Sequence, residues 1–145
     1  MRQLDKFRVT VPLRVRYAET DPMGVVYHAN YLSWFHEARD QLLINLGVDI
    51  KTAGHTGYIM PVVEVSCRYH YPAHYRDEIL VSAVPEETQV ARFIVHYTVH
   101  LKRHSRLLAE GTTVNVLTTP EGKLLLRLPE HFQVLGKRLG AESHR

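Results

Sequence analysis

At 145 residues, 45% of them hydrophobic, the chain has the size of one domain and can bury roughly 70% of the surface its unfolded form exposes. Its 18 Lys plus Arg against 15 Asp plus Glu leave a charge of +3, too small and dispersed for a nucleic-acid partner but suited to a ligand carrying a few phosphates. The single Cys67 excludes an intrachain disulfide framework and a Cys-pair zinc or redox motif, and no stretch approaches the roughly 18 consecutive apolar residues of a membrane span.

A soluble, cytoplasmic protein without a membrane span is therefore expected, and the N-terminal MRQLDKFRVTVPLRVRY has no apolar run of signal-peptide length. In that segment Phe7, Val9, Val11, Leu13, Val15 and Tyr17 alternate with Arg8, Thr10, Pro12, Arg14 and Arg16, which predicts a strand with one wet face. Pro12 has no N–H to give to a ladder, so it places that strand at a sheet edge, at a bulge or in two pieces. Asp21-Pro22 and Gly24 then punctuate a loop.

Asn30 reads as an N-cap, Tyr31, Trp34, Phe35, Ala38, Leu42 and Leu46 repeat at helical spacing, and Gly47 supplies a stop. The result is a helix of about four turns. With Leu42, Leu43, Ile44 and Leu46, its second half is apolar around much of its circumference, which predicts cover on more than one side. Val48 to Gly57 is a connector with no predicted shape.

Tyr58 to Tyr71 is extended, and Pro72 with an Arg76-Asp77-Glu78 turn separates it from a strand at Ile79 to Val84. The next strand, Val90 to Arg103, places Phe93, Val95, Tyr97, Val99 and Leu101 on one face and Arg92, His96, Thr98, His100 and Lys102 on the other. His104-Ser105 joins it to Leu107–Thr118 as a hairpin, with Gly111 predicted as a bulge. After the turn Thr119-Pro120-Glu121-Gly122, Lys123 to Arg127 is a last predicted strand and Pro129 to Leu139 a short helix opened by proline. Helices and strands do not alternate, so the expected architecture is α+β in a single domain, residues 1–145. A curled antiparallel sheet of about five strands wraps one long helix.

The chemistry concentrates between Asp21 and Asn30. Asp-Pro is first of all a turn pair, yet the Asp21 carboxylate precedes a helix start whose free N–H groups stabilise developing negative charge, so it could act as nucleophile or as general base toward water. His28 is an alternative base; otherwise only its backbone N–H matters. Glu19 would share a face with Asp21 in an extended segment, a carboxylate pair of glycosidase type, against the reading of Glu19 as a supporting or solvated residue. His70 and His74 flank Pro72, and His96, His100 and His104 are strung along a strand, so no metal site is expected. Cys67 reads as a small buried hydrophobe, and G-x-S-x-G, P-loop and G-x-G-x-x-G motifs are absent from the sequence. Lys102-Arg103-His104 with Arg106 is either a solvated hairpin tip or a phosphate-binding rim.

The run Tyr17-x-Glu19-Thr20-Asp21-x-x-Gly24-Val25-Val26-Tyr27-His28-x-Asn30-Tyr31-Leu32-x-Trp34-Phe35, continuing to Ala38-Arg39, resembles the hotdog-fold acyl-CoA thioesterases of the 4-hydroxybenzoyl-CoA thioesterase family. It is most similar to the branch that includes the Tol-Pal-associated thioesterase, and Tyr69-x-x-Pro72-Ala73 with Asp77 fits as well. The resemblance implies a hotdog fold, sheets joined edge to edge in a homodimer, and commonly a homotetramer, with an active site at the dimer interface and no cofactor. It implies Asp21 as the catalytic carboxylate, Gly24 as the turn glycine and the His28 backbone N–H as donor to the thioester carbonyl. The Tyr17 and His28 side chains are also linked to the site in that branch, and Tyr27, Asn30 and Tyr31 are expected against the substrate. Arg103 and Arg106 are candidates for the CoA phosphates on charge alone. Hydrolysis of an acyl-CoA thioester to free acid and CoA is the expected activity; a non-catalytic acyl-CoA or acyl-carrier-protein binding module on the same fold is the alternative.

Overall fold

The computed structural model describes residues 2–48 and 57–136. Five strands, β1 (Val9–Arg14), β2 (Val62–Tyr69), β3 (Glu78–Pro85), β4 (Arg92–Leu101) and β5 (Leu107–Val116), form one antiparallel sheet in the order β1-β3-β4-β5-β2. The helix α1 (Asn30–Asn45) lies between β1 and β2 in sequence and packs on one face of this sheet. Short 3-10 turns occur at Asp5–Phe7, Tyr17–Glu19 and Glu130–Leu135.

Alternation decides which face each strand buries. In β4, Phe93, Val95, Tyr97 and Val99 are buried and the residues between them half-exposed. Register places Ala83 and Gly111 on either side of Tyr97, so the inner face is continuous across the central strands. Against it α1 buries Tyr31, Trp34, Phe35, Ala38, Leu42 and Leu43, each large apolar side chain contributing about 1.5–3 kcal/mol. Ile44 is exposed, so the second half of the helix is covered on one side only.

The helix ends as expected. Gly47 adopts φ +89°, its N–H donates to the Ile44 carbonyl (2.9 Å) and the Val48 N–H to the Leu43 carbonyl (2.8 Å), the paired bonds of a Schellman cap. Pro12 sits in β1, at one edge of the sheet, where its missing donor costs no ladder bond.

Four expectations need correction. The first strand is shorter: Phe7 ends one 3-10 turn and Tyr17 begins another, leaving Val9–Arg14 extended. Gly111 is not a bulge. It pairs in register with Tyr97 and Cys67, and a Cβ there would lie 2.5 Å from Cε2 of Phe35 and closer still to the Ser66 carbonyl oxygen, so glycine is required by the neighbouring strand β2 and by the helix pressing on the sheet. The β4–β5 irregularity falls instead at Val99/His100. Lys123–Arg127 is not a strand either: beyond the turn, closed by Thr119 N–H to Lys123 carbonyl (2.7 Å), a single bridge joins Leu124 to Thr118, with one more bond from the Leu125 N–H to the Leu117 carbonyl (3.0 Å). Most of the Val48–Gly57 connector and the end of the Pro129–Leu139 helix lie outside the described residues, and of that helix the Glu130–Leu135 part is a 3-10 turn.

Candidate active site

Asp21 to Asn30 forms a small folded arm. The Asp21 N–H donates to the Val25 carbonyl (2.8 Å), Thr20 bridges Val26, and the Tyr27 N–H donates to the Glu19 carbonyl (2.8 Å). At the tip the Asp21 Oδ1 accepts from the Met23 N–H (2.8 Å), an Asx-turn, and Gly24 takes φ +85° to close it. Among the described residues the second Asp21 oxygen has no hydrogen-bond donor, which leaves a half-exposed carboxylate with a free lone-pair face.

Glu19 anchors the arm to the helix. Its buried carboxylate accepts from the Trp34 Nε1–H (2.8 Å) and the Arg16 N–H (2.8 Å), and its carbonyl accepts from the Asn30 side-chain amide (2.8 Å). Both carboxylate oxygens are thereby used, so Glu19 and Asp21 are not a catalytic pair. Asn30 is likewise not the N-cap. It is the first residue of α1, Ala29 occupies the cap position, and the amide that would have capped the helix is spent on Glu19.

The helix start is closed by a tighter turn than a side-chain cap would give. The N–H groups of Asn30, Tyr31 and Leu32 donate to the carbonyls of Tyr27 (2.9 Å), His28 (3.4 Å) and Ala29 (3.1 Å). The N–H groups of His28 and Ala29 donate to none of the described residues. Because a trans peptide sets N–H opposite C=O, the two planes that carry these donors are fixed by what their carbonyls bind. Tyr27 carbonyl takes Asn30, and His28 carbonyl takes the Tyr69 hydroxyl as well (2.8 Å). Two aligned N–H groups at the positive end of a 16-residue helix result.

Val26, His28, Tyr31, Tyr69, Tyr71 and Pro72 line a 230 Å³ cavity at this helix start. Tyr31 and Tyr69 meet edge to face at 5.0 Å, the Tyr31 hydroxyl accepts from the Ala73 N–H (3.2 Å), and Tyr27 lies against the His28 ring at 4.4 Å. Desolvation of its hydroxyl, with Cys67 close by, raises the Tyr69 phenol above its ordinary value, and that hydroxyl donates to the His28 carbonyl. Cys67 is half-buried, as its neighbours in β2 are not, and its thiol is raised by burial, away from the reactive thiolate.

The predicted site residues therefore divide. His28 and Tyr31 share the cavity. Asp21 and Gly24 stand at the arm's tip, one step beyond Thr20 and its partner Val26, while Tyr17 is exposed and packs edge to face on Tyr75 at 5.5 Å. Arg106 lies with its guanidinium 4.3 Å over the Tyr71 ring, at the rim of the cavity, whereas Arg103 faces a separate cavity with Arg14 and Arg76. Among the described residues no cluster of three His, Cys, Asp or Glu side chains could hold a metal, and His70 and His96 are engaged by Glu110 (3.0 Å) and Glu86 (2.7 Å). Tyr69 and Trp34 are the contributors that residue-by-residue reasoning missed. Pattern placed them on the helix and on an extended segment, and only the family's motif set them near the site.

The sequence model of the thioesterase-like superfamily matches residues 15–135. YneP of Bacillus subtilis (strain 168) is 36% identical over 88 residues; the match covers 61% of this chain and 64% of that one, just under two thirds of its length. The 1,4-dihydroxy-2-naphthoyl-CoA hydrolase of Thermosynechococcus vestitus is 34% identical over 107 residues, 73% of each chain. Among solved structures, the crystal structure of Slr0204, a 1,4-dihydroxy-2-naphthoyl-CoA thioesterase from Synechocystis, superposes with a TM-score of 0.81 at 29% identity, covering 88% of this chain and 94% of that one. A long helix on a five-stranded antiparallel sheet and a family match across most of the chain agree: the chain belongs to the thioesterase-like superfamily and has the hotdog fold.

Proposed function

We propose that the protein, a single hotdog domain per chain, hydrolyses an acyl-CoA thioester to free acid and CoA, with Asp21 as nucleophile or general base. The observation that carries this reading is the pair of N–H groups at His28 and Ala29 that donate to none of the described residues, held in place from behind by the Tyr69 hydroxyl. A thioester carbonyl set against them gains its negative charge at the positive end of α1, where one such donor contributes about 3–4 kcal/mol to the transition state. The free face of the Asp21 carboxylate supplies the attack, directly or through water. The His28 imidazole is exposed and lies tilted against Tyr27, so its part is secondary to its backbone.

The site is completed across a homodimer. Of the two sheet edges, β1 is short and carries Pro12, whereas β2 has eight residues and leaves Val62, Val63, Val65 and Tyr69 exposed. An open apolar edge of that length pairs with a second copy. Tyr69, at its end, would bring the cavity to the interface, and association of two dimers would give the homotetramer. The acyl group enters between Tyr31, Tyr69 and Tyr71, a ring-lined wall that suits an aromatic acyl group. On that point the relatives named above favour a 1,4-dihydroxy-2-naphthoyl-like substrate over the 4-hydroxybenzoyl and Tol-Pal-associated branch expected from the motif.

A thiol-release assay across aliphatic and aromatic acyl-CoAs tests this. Turnover of at least one class with kcat above about 1 per second is expected. Saturable binding without thiol release would instead support the non-catalytic binding module.

A further inference from the structure

Arg14 of β1, Arg76 and Arg103 of the β4–β5 hairpin tip come from three separate parts of the chain and meet around one 340 Å³ cavity, with Asp77, Glu78 and Leu101 completing its wall. Arg14 and Arg76 also line an adjoining 400 Å³ cavity with Arg16, Tyr17 and Tyr75. Among the described residues none of Arg14, Arg76 and Arg103 has a carboxylate within ion-pair distance. Asp77 is turned elsewhere, accepting from the His74 N–H (2.8 Å), and the Arg76 guanidinium lies 5.0 Å over the Tyr75 ring. Arg76 holds φ +71°, a conformation that glycine or asparagine adopts at lower cost, and a long cationic side chain there points to a role for its charge.

Unpaired guanidiniums beside an exposed aromatic pair are complementary to a phosphorylated nucleotide: planar donors for phosphate oxygens, a ring face for a base. The chain also links these cavities to the Asp21 arm. Tyr17 opens the 3-10 turn that leads to Glu19 and Asp21, and Tyr75 follows His74, which bridges Val25 on the Asp21 arm.

We propose that Arg14, Arg76 and Arg103 bind the phosphates of the nucleotide end of CoA, with the Tyr17–Tyr75 pair against its adenine. This rests on the reading of the protein as an acyl-CoA thioesterase. It divides the hairpin tip between two tasks, Arg103 on phosphate and Arg106 on the rim at Tyr71.

Two measurements test it. The first is the ratio of kcat/KM for an acyl-CoA to that for the same acyl-pantetheine, which lacks the nucleotide. The ratio should fall about 10-fold in Arg14→Ala and in Arg76→Gly, and about 100-fold in the double variant, with KM for the CoA ester rising with salt. Arg76→Gly relieves the positive φ, so a variant that is at least as stable as the parent while losing the ratio separates charge from folding. Equal turnover of both thioesters by the parent protein, or a ratio unchanged by the variants, overturns the proposal. So does turnover confined to acyl-carrier-protein esters. The second is calorimetric titration with adenosine 3′,5′-bisphosphate. Binding that weakens about 10-fold in Arg14→Ala supports the proposal, and no binding, or binding indifferent to the variants, refutes it. Because this titration needs no turnover, it decides the nucleotide site even if no thioester is hydrolysed.

Discussion

Replacing Glu19 by alanine should loosen the candidate site from behind without touching substrate. The carboxylate is buried and accepts from the Trp34 indole N–H and the Arg16 N–H, each at 2.8 Å. Removing it strands the indole N–H in the core, at about 1–3 kcal/mol, and the part-buried Arg16 N–H at about 1 kcal/mol, so Glu19→Ala should lose about 2–4 kcal/mol. Gln retains one acceptor and turns an amide N–H at the other donor, so Glu19→Gln should fall between Ala and the parent. Urea unfolding at fixed protein concentration measures both, with kcat/KM for thioester hydrolysis recorded alongside. The Asn30 amide and Tyr27 N–H also hold this residue's carbonyl, so displacement of the arm should lower kcat/KM at least 10-fold. Loss of less than about 0.5 kcal/mol in Glu19→Ala, or equal damage from Gln and Ala, would refute the assignment of Glu19 as the bolt between arm and helix.

Three further outcomes follow from the same structure. Gly111→Ala drives a Cβ to 2.5 Å from the Phe35 ring and closer still to the Ser66 carbonyl, so it should cost about 1–3 kcal/mol or more, read as a lowered Tm; a neutral result would remove the close approach as the reason for glycine. Val63→Lys with Val65→Lys places two charges on the open β2 edge and should convert the proposed dimer to monomer by sedimentation at micromolar concentration, and an unchanged mass would exclude that edge as the interface. Burial raises the Tyr31 and Tyr97 phenols above the ordinary 10.0, so the fold favours their protonated forms. That stability is present below pH 10 and is lost as pH rises through the folded values; a spectrophotometric titration should show both tyrosines ionising late, together with unfolding.

Sequence pattern revealed what depends on near neighbours. The strand alternation of Phe93 to Leu101, the helix of Tyr31 to Leu46, the Gly47 stop and the Asp21–Gly24 turn are all local, and each stands in the structure. What failed depended on a distant partner. Asn30 has every property of an N-cap, but its amide is claimed by the Glu19 carbonyl eleven positions earlier. Gly111 looks like a bulge until Phe35 is placed above it, and Leu124 to Leu126 is an apolar run like a strand yet makes only one bridge, to Thr118. Glu19 and Trp34, and Tyr69 with the His28 carbonyl, are contacts across 15 and 41 positions, which no periodicity encodes. Arg103 and Arg106, three residues apart, face different cavities because the hairpin between them turns through positive φ at His104 and Ser105.

The claim on which the rest depends is that Asp21 activates the attack while the His28 and Ala29 N–H groups hold the carbonyl. Asp21→Asn keeps the size of the side chain and the acceptor for the Met23 N–H, while removing the charge. Thiol release from the best acyl-CoA, measured with folding verified by circular dichroism, should fall in kcat by about 100-fold or more with KM little changed. Full activity in a folded Asp21→Asn protein would contradict the account.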